Sequence, residues 1–475
     1  MSKLSSLAVL PILFIAATLA NTQTDEANKQ LAHDIFKELI EINTTDSVGS
    51  TTVAAEAMAK RLIDAGFPQS DVAVLGPNDR KKNLVARLRG TSAKKPVLLI
   101  GHLDVVEAKP EDWSTDPFKF VEKDGFFYGR GTQDMKNGDA IMTATLIRMK
   151  KEGYRPDRDI IMALTADEEG GNFNGVDWLI KNHRDLVDAE FVLNHDTGIT
   201  TEKGKLPEFG VTATEKLYAD YQLEVTNPGG HSSIPVPDNA IYHLSEGLAR
   251  LARYQFPFEL NSVTRTYYEK MSAVEKGQRA ADMKAILKNP PDQAAIARLS
   301  KDAIDNSTMR TTCVATRLAA GHANNALPQR AQANVNCRII PGHTSEEIRL
   351  ALIKVLADPK IAVRWLGPNR QPQEHGSDSQ SYPPPKLLPE VFKPLEQVVQ
   401  AMWPGVPVVP EMSTGATDAV YTNAAGLPTY AIGGTGIERD DIRAHGKDER
   451  LAAASFYEGL DFYYRFLKAV TSPAN

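Results

Sequence analysis

Apolar residues recur at helical spacing early in the chain, where Leu31, Ile35, Leu39 and Ile40 share a stripe. A second run, 54–65, is rich in helix formers, so residues 25–66 read as helical. Short apolar runs then alternate with helix-like stretches. Asn83–Leu88, 96–100, 160–166 and 190–193 read as buried strands, while 140–151 and Gly175–Asn182 read as helices between them. This alternation predicts an α/β fold with a mixed, largely parallel sheet and helices on both faces. Active groups in such a sheet belong at the carboxyl ends of its strands.

The texture changes near Leu206. Leu217–Thr226 alternates like a half-exposed strand, 239–254 is an amphipathic helix, 309–318 and 331–340 are paired strand candidates, and 345–357 is a second helix before strand Ala362–Leu366. That order suits a smaller inserted α+β domain with a four-stranded sheet and two helices on one face. Between its first helix and second strand lies a charged, helix-prone insertion, 259–306, which by charge alone reads as a solvated surface elaboration. The expected organisation is a leader over 1–20, a larger domain in two parts, 25–207 and 383–475, and the inserted domain over 208–382. The Pro-rich end of a linker, 367–385, would return the chain to the larger domain.

The length of 475 residues suits two domains. The net charge of −6 comes with no basic patch, which argues against nucleic acid. Lys3, the mostly apolar stretch 7–19 and the small residue Ala20 have the composition of a secretory signal peptide. The mature protein is therefore expected to be exported, periplasmic or secreted, with no stable membrane span once the signal is removed. Two cysteines, Cys313 and Cys337, flank a turn-rich segment. They read equally as a disulfide across an antiparallel pair and as two buried thiols.

Five candidate metal ligands lie far apart, mostly where an apolar run meets a polar or glycine-containing turn: His102, Asp134, Glu169, Asp196 and His445. On a strand, His102 and Asp104 share a face, so one can bind a metal while the other orients it. Glycines before Asp134 would present it into a crevice, although a helix N-cap is the ordinary reading of such an aspartate. Asp167, Glu168 and Glu169 would repel one another at the end of a buried strand unless cations offset them, and adjacent glutamates can divide binding from proton transfer. His195 rivals Asp196 as a ligand. Two histidines, three carboxylates and one hydroxide would balance two divalent cations, which makes a metal-dependent hydrolase the leading reading.

The segments GHLDVV, GRGTQDMK, TADEEGG, NPGGHSSIP, NNALP, GATDA and RAHGKDER occur in one order from about residue 30 to the C-terminus. In that order they resemble the co-catalytic zinc amidohydrolases and exopeptidases that include aminoacylase, carnosinase, carboxypeptidase G, carboxypeptidase S and succinyl-diaminopimelate desuccinylase. The resemblance implies a zinc-exopeptidase-like fold whose inserted domain is a lid and dimerisation domain, so a homodimer through the lid is expected. It implies two Zn2+ per subunit, with Co2+ or Mn2+ as substitutes. Asp134 would bridge them, His102 and Asp196 would hold one, and Glu169 and His445 the other. Glu168 would be the general base and Asp104 the residue orienting His102. A cis peptide after Asp134 is also implied. In the inserted domain His231 resembles an oxyanion donor, and Asn325 and Arg338 resemble residues that grip substrate; in the second part of the larger domain Gly415, with Thr417 and Asp418, resembles a loop that lines the cleft. This sequence has His195, Asp196 and Thr197 where many relatives have an acid followed by glycine, and its lid is longer than in the smallest members.

The expected activity is hydrolysis of an amide bond in a small peptide or N-acyl amino acid by a metal-activated water, with Glu168 moving the proton. No Gly-x-Ser-x-Gly elbow supports a serine hydrolase. A catalytically silent peptide-binding protein on the same scaffold is the alternative, and it would be expected to have lost a ligand or the base.

Overall fold

The computed structural model describes residues 10–378 and 382–472. The chain divides into two compact units. One comprises the chain up to Phe209 together with Pro389–Pro407 and the segment from Ala431 onward; the other comprises Gly210–Leu388 and Val408–Tyr430. The first crossing falls two residues beyond the expected boundary at 207. The return is more complex than a single linker, because 408–430 belongs with the inserted unit rather than with the larger domain. Residues 1–9 of the expected leader lie outside the described residues. A helix, Leu10–Glu41, continues through the expected cleavage point at Ala20. No helix of the described residues is long and apolar enough to cross a membrane.

In the first unit, strand Lys94–His102 runs parallel to Arg158–Thr165 on one side and to Phe191–Asn194 on the other. Val97–Ile100, Ile160–Leu164 and Phe191–Leu193 are buried, the burial on both faces expected of central parallel strands. Beyond Arg158–Thr165 the order continues to Asn83–Leu88 and Val72–Leu75, both pairings antiparallel. The sheet is therefore mixed: three adjacent strands run parallel, and two short strands close one edge as an antiparallel hairpin. Helix Thr51–Asp64 packs on those edge strands, and helix Lys136–Lys151 packs on Lys94–His102 and against the helices Leu10–Glu41 and Ala453–Thr471. Register aligns the ends of the three parallel strands. His102 pairs with Thr165, and Ile100 with Asn194, so the chain leaves all three strands at the same edge.

In the second unit, Thr312–Ala320, Arg330–Ile339, Leu217–Thr226 and Ala362–Leu366 form an antiparallel sheet in that order, extended by the two-residue strand Pro372–Gln373. The expected four strands are thus joined by a short fifth. Leu217, Ala219, Tyr221, Leu223 and Val225 alternate onto one face, where they share a core with Leu244 and Leu251 of helix Ala240–Arg253 and Leu352 and Leu356 of helix Ser345–Leu356. Cys313 and Cys337 stand directly opposite one another on adjacent strands and form a disulfide. The insertion is not a solvated elaboration. Three of its four short helices enclose a second core of Tyr268, Met271, Met283, Ile286, Ile296 and Leu299, closed by Val409.

Candidate metal centre

The parallel strands deliver their following turns to one place. His102 ends its strand, Asp167, Glu168 and Glu169 follow Thr165, and Asp196 follows Asn194. Gly101 allows the approach: a Cβ there would lie 2.6 Å from Asp139 Oδ1 and 2.8 Å from the Met135 methyl. Asp134 precedes helix Lys136–Lys151 but does not cap it; Met135 occupies the cap position without a side-chain hydrogen bond. The Asp134 oxygens turn elsewhere. Oδ1 lies 3.1 Å from His102 Nε2, and Oδ2 lies 3.1 Å from His445 Nε2. His445 is also 2.9 Å from Glu169 Oε1, and His102 is 4.0 Å from Asp196 Oδ1. Two sets of ligand atoms result, His102–Asp134–Asp196 and Asp134–Glu169–His445, each within 4.8 Å and sharing Asp134. The Asp134–Met135 peptide is cis.

The three consecutive acids have separate fates. Asp167 adopts φ 59° and is buried in an ion pair with Lys81. Glu169 faces His445, and Glu168 is half-buried between them in sequence. The Asp104 carboxylate accepts hydrogen bonds from the backbone N–H groups of Glu168 and Glu169, at 3.2 and 2.9 Å. Its expected orienting of His102 is corrected in one respect. His102 Nδ1 lies 2.9 Å from the Asp104 backbone oxygen and 3.8 Å from its carboxylate, so the carbonyl orients the ring and the carboxylate braces the glutamate turn. His195 is removed from contention as a ligand. It is buried against the Tyr463 ring at 4.7 Å, neither ring nitrogen has a hydrogen-bond partner among the described residues, and burial pushes it down to about 4.

Two residues that the ligand pattern did not single out hold this arrangement. Glu449 is fully buried; it pairs with Arg130 and accepts from the N–H groups of Gly131, Gln133 and Asp134, gathering the turn that presents Asp134. Gln133 accepts from the N–H groups of Arg443 and Ala444 at 2.7 and 3.0 Å, fixing the loop that carries His445. Glu449 lies inside the RAHGKDER segment and Gln133 inside GRGTQDMK. Nothing in those strings distinguishes a brace from a ligand.

The electrostatics favour positive charge. Burial works against ionisation of His102, but its hydrogen bond to Asp134 and the charges of Glu168 and Asp196 raise it well above the ordinary imidazole value. Hydrogen bonds to Asp134 and Glu169 raise His445 to about 10. Burial alone would raise Asp134; its two histidine hydrogen bonds outweigh that and hold it below the usual carboxylate range. Oxygen and imidazole donors in two sets that share a carboxylate fit a pair of divalent cations.

A comparison with protein families settles the class. Residues 98–469 match the model of peptidase family M20/M25/M40. The chain belongs to this family. Among curated members it is 27% identical over 385 residues to the N-fatty-acyl-amino acid synthase/hydrolase PM20D1 of Xenopus tropicalis, covering 78% of this chain and 72% of that protein. It is 26% identical over 398 residues to aminoacylase-1 of Mus musculus, covering 81% and 82%. Its fold matches that of human carnosine dipeptidase 1 with a TM-score of 0.63 at 15% identity, over 94% of this chain and 98% of that one. This M20-family chain is an amide-bond hydrolase of the peptidase and amidohydrolase kind, and peptides or N-acyl amino acids are the consistent substrates.

The remaining expected residues lie in the second unit. His231 pairs with Ala326 in a two-residue ladder, and the Ser232 N–H donates to the Asn325 carbonyl at 3.1 Å, so His231 and Asn325 are neighbours. His231 Nδ1 accepts from the Ser233 N–H at 3.1 Å, which leaves the proton of the neutral ring on Nε2 as an outward donor. Arg338 lies with its guanidinium 4.8 Å from the Tyr218 ring centroid. Gly415 N–H donates to Ser413 Oγ, and Thr417 is held by Glu215.

Proposed function

We propose that the protein is a di-zinc hydrolase of small peptides or N-acyl amino acids. The observation that carries this reading is Asp134, whose two oxygens each face a different histidine within two separate ligand sets. His102, Asp134 and Asp196 would hold one ion and Asp134, Glu169 and His445 the other. Once bound, such ions lower the pKa of water and polarise the substrate carbonyl. Glu168, set beside the ligands and held through its backbone N–H by Asp104, takes the proton from the attacking water and returns it to the leaving amine. The His231 Nε2–H donates to the developing oxyanion, Asn325 and Arg338 grip the substrate, Arg338 taking a free carboxylate through two parallel hydrogen bonds, and the Gly415 loop lines the substrate site.

A silent binding protein is disfavoured because the ligand set and the base are all present. Glu168→Gln separates the two readings: metal content should stay at the wild-type level while turnover falls by about 10²–10⁴-fold. Near-normal turnover would refute the role of Glu168, and a zinc-loaded wild type that cleaves no dipeptide or N-acyl amino acid would refute the activity. Export is part of the same proposal. Mass spectrometry of the protein recovered from the cell exterior should find a mature chain beginning at Asn21. Dimerisation through the second unit is proposed from the resemblance and tested by sedimentation.

A further inference from the structure

In the second unit Tyr218 stands directly across from Arg338, and Arg338 directly across from Thr312, so these three side chains share the sheet face opposite the apolar core. Lys216, just before its strand, sends its ammonium to within 3.2 Å of Thr312 Oγ1 and so reaches across the Arg338 strand on that same face. Lys216 is completely buried, yet among the described residues its hydrogen-bond partner is a neutral hydroxyl. Arg338 has no carboxylate partner among them either. Arg310, a third cation acting on Lys216, donates among the described residues to Gln255 and Ser300, both neutral.

The nearby carboxylates are already committed. Glu215 accepts from Thr417 N–H and Oγ1 at 2.8 and 2.7 Å, and Asp220 accepts from Tyr218, Asn334 and Asn336. A buried ammonium and a guanidinium on one sheet face, with no anion for either among the described residues, are a costly arrangement that a packing role does not require. Burial first, then the like charges of Arg338 and Arg310, push Lys216 down to about 7.

We propose that Lys216 and Arg338 form one anion subsite that takes the substrate's free carboxylate, with Lys216 as a specificity-determining residue. This rests on the amide-hydrolase reading above, which supplies a carboxylate-bearing substrate. Arg338 offers the planar two-point contact and Lys216 the compact charge, while Thr312 keeps the ammonium in place. A carboxylate there offsets the repulsion between the two cations and gives each a charge-assisted partner. A carboxamide in the same position leaves them uncompensated and is rejected.

The test compares N-acetyl-L-leucine with N-acetyl-L-leucinamide on the zinc-loaded full chain, using wild type, Lys216→Met and Lys216→Arg. Lys216→Met should raise KM for the acid about ten- to hundredfold and collapse the preference for acid over amide, and Lys216→Arg should restore much of it. A preference that stays at the wild-type level in Lys216→Met overturns the proposal, as does an equal loss on both compounds. If wild type cleaves neither compound, the hydrolase reading fails for them, and calorimetry still decides the subsite. Acid binding that weakens at least tenfold in Lys216→Met supports it; equal binding, or none to wild type, overturns it.

Discussion

Lys216→Met should stabilise the protein while it weakens carboxylate recognition, and the gain should depend on pH in a defined way. An ammonium moved from its usual 10.5 to about 7 by burial and like charges costs the folded state about 4–5 kcal/mol wherever both folded and unfolded chains carry the proton, that is, at pH 7 and below. Between about 7 and 10.5 the unfolded chain binds the extra proton and the folded chain does not. Wild-type stability therefore rises with pH across that window, and the cost is gone above it. Methionine fills similar space without charge, and the lost hydrogen bond to Thr312 returns about 1 kcal/mol to the wild type. The net gain is about 3–4 kcal/mol at pH 6–7, shrinking to nothing near 10.5. Urea unfolding of the metal-loaded protein at several pH values from 6 to 10 measures it. A variant less stable than wild type at pH 6–7, or a difference flat with pH, would refute this account and show that Lys216 is either paired with an acid or ordinary in its titration. A residue that lowers stability and is retained for binding is the familiar exchange between the two at functional sites.

Asp196→Asn should lower the bound-metal stoichiometry measured by elemental analysis, whereas His195→Leu should leave it at the wild-type value, because the His195 ring faces Tyr463 rather than the ligands. Metal loss in the histidine variant alone would reverse that assignment. Glu449→Ala strands the buried Arg130 and frees three turn N–H groups, so a loss of about 3–5 kcal/mol in unfolding free energy is expected, together with weaker metal retention. Reducing the Cys313–Cys337 disulfide, which closes a separation of 24 residues, should cost about 2–4 kcal/mol; an unchanged denaturation midpoint after reduction would contradict it.

Much of the candidate site was legible because most of the candidate ligands sit at a change of local pattern. The buried run ending at Thr165 and the acids after it announce a strand delivering carboxylates to an edge, and the same holds for His102 and Asp196. Roles among neighbours were less legible. Adjacent residues such as Asp167, Glu168 and Glu169 are chemically alike in a string, and only Lys81, 86 positions earlier, removes Asp167 from the site. The choice between His195 and Asp196 likewise turned on which side of the backbone faces Tyr463. Asp104 was placed correctly beside His102, yet its carboxylate serves the glutamate turn, since the alternation of a strand does not continue into the bend beyond it. The insertion was misread because its core residues are spread over three short helices, none of which shows a stripe long enough to declare a core.

What the sequence alone determined is the chemistry available and its placement at strand ends: periodicity reports burial, and ordered motifs report family, both properties local to a segment. What only the tertiary structure decided is which distant groups meet. Asp134 between two histidines, Glu449 beneath the Asp134 turn and Lys216 on the sheet face of Arg338 are products of sheet register and helix packing. They join residues up to hundreds of positions apart, and no local pattern encodes such a pairing.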